Sequence, residues 1–165
     1  MITLEQVVFV IPMFALAASI TYYALVLKNQ NKTRQAQLFM QIYNRWLDPE
    51  FLRLYVRSYQ MDYEDLDNFN MKYSTRTQFE ERMPYTIMSF YYEGIGMLVE
   101  HGFIDPKLVI QLAEDVREHW EMFSPMILER RERTRNPLYF HYTESLYNNL
   151  YKIRKNIWEH REKMY

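Results

Sequence analysis

Residues 7–27 read VVFVIPMFALAASITYYALVL, a run without one charged side chain. As a helix rising about 1.5 Å per residue it would be roughly 31 Å long, close to the ~30 Å hydrocarbon thickness of a bilayer. A core helix of a soluble protein would place polar side chains every third or fourth position, and here only Ser19, Thr21 and two tyrosines interrupt the apolar run. The run therefore predicts a transmembrane helix from Val7 to Leu27. Signal peptides open on a basic stretch and close on a small-residue cleavage site. The residues before this run carry Glu5 and no Lys or Arg, so a retained anchor is the expectation. Pro12 lies near the amino end, where few helical hydrogen bonds are lost.

The flanks give an orientation. Lys28, Lys32 and Arg34 follow the run directly, and no basic residue precedes it. The positive-inside rule then places the amino terminus outside the plasma membrane and residues 28–165 in the cytoplasm. These three cations also favour anionic lipid head groups, at about 1 kcal/mol for each well-placed charge. Three parts are expected: an anchor over 1–28, a helical stalk continuous with it over 29–47, and a cytoplasmic helical bundle over 48–165.

The chain has no cysteine, which excludes disulfides, thiolate catalysis and cysteine metal sites. Three glycines and six prolines in 165 residues leave no room for long flexible linkers. Fifteen tyrosines, ten phenylalanines and eleven methionines suit either a tyrosine-lined helical core or an extended protein interface. The net charge of −1 hides an uneven distribution. Residues 59–71 carry Asp62, Glu64, Asp65 and Asp67 without a base, whereas residues 129–165 are rich in Arg and Lys. The sustained basic excess of a nucleic-acid binder is missing, and that class is rejected.

From Lys28 to Leu47 no Gly or Pro interrupts the helix, and Leu38, Ile42 and Trp46 recur at helical spacing. Asp48-Pro49 is a cap-then-proline signal opening a short second helix to about Ser58. The acidic stretch from Gln60 to about Tyr73 reads as a loop, with room for one helical turn. A third helix is expected from near Thr75 to His101, with Gly102 as its carboxy-terminal cap and Pro84 kinking it or marking its start. Asp105-Pro106 opens a fourth helix with the stripe Leu108, Leu112, Val116, Trp120, Phe123 and Ile127, bent near Pro125. Asn136-Pro137 opens a fifth with the stripe Leu138, Tyr142, Leu146, Leu150, Ile153 and Ile157. The two stripes have identical spacing, as expected of helices lying side by side in an antiparallel bundle. No segment shows strand alternation; the predicted class is all-α.

Catalytic chemistry is hard to find. A di-iron bundle needs Glu three residues before His, and the residues preceding His101, His119, His141 and His160 are Leu98, Val116, Leu138 and Ile157. Asp115 and His119 share a helix face, a spacing read as a surface pair. His101 beside Gly102 fits a helix carboxy-terminus. Gly94-Ile95-Gly96 lacks the third glycine and the preceding strand of a dinucleotide loop, so it reads as a close helix approach. Glu93 lies among Phe90, Tyr91, Tyr92, Ile95 and Met97, and a carboxylate there needs a partner; Arg45, Arg53 and Arg117 are the candidates by type. Glu93, Gly94 and Gly96 are thus the candidate packing site, and no catalytic residue, cofactor or metal is expected.

The stretches Phe90–Val99 and Gly102–Asp105, with Trp120-Glu121 before Pro125 and Arg130-Arg131, resemble a family of small bacterial and archaeal proteins described only as a domain of unknown function. The resemblance covers about residues 5–155 and implies one amino-terminal membrane helix and a helical domain; the style of the chain points to an archaeal source. It brings no activity with it. The expected role is a non-catalytic accessory or scaffolding subunit of a larger membrane assembly, whose partners are lipids and other membrane subunits, with self-association of copies as a further possibility. Ala15 with Ser19, and Ala17 with Thr21, offer weak small-residue faces for helix packing in the bilayer. The alternatives are a self-associating signalling adaptor, in which the helix relays a change across the bilayer, and a membrane-surface enzyme using Glu93 and His119.

Overall fold

Asp48, Asp65 and Asp105 each open an element with a local polar cap, and aromatic faces between the boundaries make the core. A computed structural model describes the backbone of residues 4–162 and the side chains of residues 12–155. The side chains of Val7, Ile157 and His160 lie outside the described residues. Among the described residues there are helices and no strands. Two compact units divide after Leu38, one over residues 1–38 and one over 39–165.

Helix α1 is Leu4–Trp46. In its first unit Met13, Phe14, Leu16, Ile20, Leu25 and Leu27 are all more than half exposed. Ser19 and Thr21 donate their hydroxyls to the carbonyls of Ala15 and Ala17, at 2.8 and 2.9 Å. Among the described residues no helix is long and apolar enough to cross a membrane. The spanning segment expected over Val7–Leu27 is therefore not carried by the described residues. Those with described side chains, 12–27, fall short of the roughly 20 a span requires.

In the second unit the chain turns at Asp48. Its carboxylate accepts from the N–H of Glu50 at 2.8 Å and of Phe51 at 3.3 Å, with Pro49 in the first helical position of α2, Pro49–Tyr59. Arg45 holds the other carboxylate oxygen at 2.9 Å. Phe51, Leu54 and Ser58 form the buried face of α2.

The acidic stretch read as a loop contains a short helix, α3, Leu66–Lys72. Asp65 caps it, accepting from Asn68 N–H at 2.7 Å, and Leu66 and Phe69 bury its apolar side. The charges misled because they sit at the cap and on the solvent side. Helix α4, Phe79–Glu100, starts four residues later than expected and takes Pro84 inside its first turns. It ends as foreseen at Gly102, whose φ of 70° suits glycine. The N–H of Phe103 reaches Leu98 O at 2.9 Å and that of Gly102 reaches Val99 O at 3.0 Å, the Schellman closure.

The fourth predicted helix is two elements. A 3-10 helix, Pro106–Leu112, capped by Asp105 at 2.9 Å from Lys107 N–H, precedes α5, Ala113–Thr134. The tighter winding rotates Leu108 out of the stripe, leaving it 39% exposed. Helix α5 carries Pro125 inside it and runs on to Thr134. Its basic last turn is anchored: Arg131 reaches Glu144 at 2.7 Å and donates to the carbonyls of Tyr139 and Phe140, and Arg133 pairs with Asp67 at 2.6 Å. Asn136-Pro137 does not open α6, which is His141–Glu162. Phe140, with φ 52°, swings the chain first, so Leu138 stays 70% exposed.

Helix α5 runs antiparallel to α6, as Arg131–Glu144 at one end and Glu114–Arg154 towards the other require. It runs antiparallel to α4 through Tyr85–Phe123 and Tyr92–His119. Phe69, Tyr85, Trp120, Phe123, Ile127 and Phe140 form one cluster joining α3, α4 and α5. The tyrosines thus line a core.

Candidate functional site

Spacing on three helices converges on Asp115. On α2, Tyr55 and Tyr59 lie one turn apart with ring centroids 4.8 Å from each other. On α5, Asp115 and His119 are likewise a turn apart, and α4 contributes the adjacent pair Tyr91 and Tyr92. Tyr55 donates its hydroxyl to Asp115 Oδ1 at 2.8 Å, and Tyr59 donates to the Asp115 carbonyl at 3.1 Å. Tyr91 donates to Ile42 O at 3.1 Å, joining the end of α1 to α4. The Tyr92 hydroxyl is buried and, among the described residues, lacks a partner at hydrogen-bond geometry.

Burial governs the protonation of this cluster. It pushes the Tyr59 phenol up to about 12 and those of Tyr55, Tyr91 and Tyr92 well above their ordinary value, so all four stay neutral. Burial drives His119 down to about 3, and its neutral ring meets Ser89 Oγ at 3.1 Å through Nε2. Asp115 is raised, mainly by desolvation, although the Tyr55 hydroxyl works against that. At neutral pH the cluster holds one charge, on Asp115, with no Lys, Arg or protonated His paired to it among the described residues.

A groove of about 280 Å³ is lined in part by Asp115. Ile42, Tyr43, Trp46 and Leu112 make its apolar walls, and Gln111 and Asp115 supply its polar groups. Trp46 is held edge-on to Tyr55 and Phe51, with centroids 4.9 and 5.9 Å away.

The candidate packing site lies on α4. Glu93 meets none of the expected arginines. Its Oε2 accepts from the N–H and the hydroxyl of Thr143, both at 2.8 Å, and its Oε1 accepts from Tyr142 N–H at 3.3 Å. These are first-turn amides of α6, which a carboxylate suits. A Cβ built on Gly96 would overlap the Tyr142 backbone carbonyl, so α4 and α6 touch there backbone to backbone. Gly94 has nothing within 4 Å of such a Cβ. Asp115 and His119 do not form the surface pair their spacing suggested, since His119 is 1% exposed and faces Ser89. His101 caps α4 and meets Tyr142 Oη at 3.3 Å. Lys28, Lys32 and Arg34 lie in the first unit, on α1. Among the described residues no group of three or more His, Cys, Asp or Glu could hold a metal.

The model of the domain of unknown function DUF4760 matches residues 13–150. The chain belongs to the DUF4760 family. The match takes in α2 to α5, the Asp115 cluster and the Glu93–Gly96 contact of this DUF4760 chain. No curated protein and no solved structure matches it.

Sequence reasoning singled out Asp115 for the wrong partner and passed over Tyr55, Tyr59, Tyr92 and Trp46. The signal for the tyrosines was the i, i+4 spacing of Tyr55 and Tyr59 on the amphipathic α2 of the DUF4760 domain. Nothing local ties Tyr55 to a carboxylate sixty residues away, or Tyr59 to the backbone carbonyl of the same residue.

Proposed function

We propose that this DUF4760 protein is a non-catalytic, single-pass membrane protein that serves as an accessory or scaffolding subunit of a larger membrane assembly. The observation that carries the reading is the state of residues 12–27: their large apolar side chains are exposed along α1, and the hydroxyls of Ser19 and Thr21 are turned back onto their own helix. An apolar helix with internally satisfied hydroxyls suits lipid or the apolar face of another helix, and water poorly. Lys28, Lys32 and Arg34 follow at the position where cytoplasmic flanking charge belongs. On this reading the anchor confines the helical domain to the membrane and raises its effective concentration beside its partners. Catalysis is a poor match: Glu93 and His119, the best candidates by type, are spent on the start of α6 and on Ser89.

The test is to express the full chain in its native membrane, extract with alkaline carbonate, then solubilise gently and identify what copurifies. Retention in the carbonate pellet with stoichiometric partner proteins is the expected result. Release into the carbonate supernatant, or a clean monomer in mild detergent, would overturn the proposal.

A signalling adaptor is the second reading, favoured by the assignment of Leu4–Trp46 as one helix. A Gly-Pro insertion beside Arg34 separates the two, because a relay loses its output and a passive anchor tolerates the break.

A further inference from the structure

The geometry points to the groove at Asp115 as a binding site for one organic cation, an ammonium or guanidinium carried on a short aliphatic stem. Asp115 lines the groove among mostly apolar residues, and among the described residues its carboxylate receives one side-chain hydrogen bond, through Oδ1, and pairs with no cationic side chain. Glu114 has Arg117 and Arg154, Glu144 has Arg131 and Glu129 has Arg133, while Glu93, which has no arginine, accepts from two amides and a hydroxyl at the start of α6. A partly desolvated carboxylate is stabilised by an opposite charge that arrives with its own hydrogen-bond donors. Trp46 and Tyr43 add aromatic surface next to that position, which favours cations over neutral groups of equal size. Ile42 and Leu112 accept the stem, and the exposed Gln111 offers an amide oxygen to a second N–H. At about 280 Å³ the groove is at the small end of ligand sites, sized for a chain of a few carbons rather than a fused ring system.

The cation has two natural sources, a free amine or the Lys or Arg side chain of a partner protein. The inference does not depend on the membrane reading, because every group it uses belongs to the unit over residues 39–165.

The experiment is an NMR titration of the full 15N-labelled chain in an uncharged maltoside detergent, following the Trp46 indole and Gln111 amide signals. The probes are n-butylammonium, neutral n-butanol, and blocked peptides containing one Lys or one Arg. Saturable shifts with n-butylammonium, at least tenfold weaker with n-butanol, are expected. Asp115→Asn should weaken the ammonium at least tenfold and leave n-butanol unchanged. Tyr43→Ala, outside the core, should weaken it several-fold and keeps the test open if the Asn variant fails to fold. Tighter binding of a blocked peptide than of the free amine assigns the source to a partner's side chain, and the reverse assigns it to a small molecule. Equal response to butylammonium and butanol, or an undiminished response in Asp115→Asn, would overturn the inference.

Discussion

Glu93 Oε2 takes both the backbone N–H and the hydroxyl of Thr143, each at 2.8 Å, so a side chain in the middle of α4 closes the amino end of α6. The chain does not cap α6 locally: Phe140 enters with φ 52° and has no side-chain acceptor to offer. The cap comes from another helix, and it fixes the position of α6 as well as its start.

Replacing Glu93 should therefore loosen tertiary structure. Glu93→Ala leaves part-buried amides and the Thr143 hydroxyl without their acceptor, and a loss of about 2–3 kcal/mol is expected from urea unfolding. Glu93→Gln keeps one oxygen and should lose about half as much. Equal stability of Glu93→Ala and wild type would show that water replaces the carboxylate without loss.

The two glycines on α4 should respond in opposite directions. Gly94→Ala meets open space in a helix interior and should gain about 0.5–1 kcal/mol. Gly96→Ala forces the Tyr142 backbone away and should destabilise by more than that gain, typically about 1–3 kcal/mol. Thermal melts of the pair make a direct comparison.

His119 ties stability to pH. Its ring is pushed down to about 3 in the folded chain, whereas an unfolded histidine titrates near 6.5. Between those values the unfolded chain binds a proton that the folded chain refuses. Its share of stability is complete above about pH 6.5 and is lost as the pH falls towards 3, with a slope approaching about 1.4 kcal/mol per pH unit. The urea midpoint of wild type should fall across that window more steeply than that of His119→Gln. Parallel curves would mean that the ring is protonated in the fold.

Arg135 caps α5 with φ 52° and ψ 34°, a conformation in which a side chain carries strain. Arg135→Gly should raise stability by up to about 1 kcal/mol. Phe140 has the same φ but is 6% exposed, with its ring against Tyr85 and Phe90. Phe140→Gly should lose about 3–5 kcal/mol, because the ring's burial outweighs the relief.

The membrane proposal has its own probe. Ala17 is the midpoint of the uncharged run 7–27, and a lysine there would add about 2.5–3.5 kcal/mol to insertion. Ala17→Lys should move the protein from the carbonate pellet to the supernatant. An equivalent substitution at Arg34, Arg34→Lys, should not.

What could be read from the sequence was local. Asp48-Pro49, Asp105-Pro106 and Gly102 act within a few residues, and each marks an element boundary at its expected place. Val116, Trp120, Phe123 and Ile127 follow a single helical period and are buried together. The expectation faltered where a distant group decides the outcome. Glu93 finds its partners about fifty residues on, and Tyr55 finds Asp115 sixty residues on. The last turns of α5, beyond Pro125, are held by ion pairs from Asp67 and Glu144, which lie outside its own segment. At Asn136-Pro137 a familiar start signal is overridden by the left-handed Phe140 four residues later.

The contact at Gly96 also limits how far sequences sharing this packing can drift. No residue bearing a β-carbon fits between α4 and the Tyr142 carbonyl, so a relative with alanine or serine there must seat α6 elsewhere. One column of an alignment thus sorts members that share this arrangement of helices from those that share only the hydrophobic pattern.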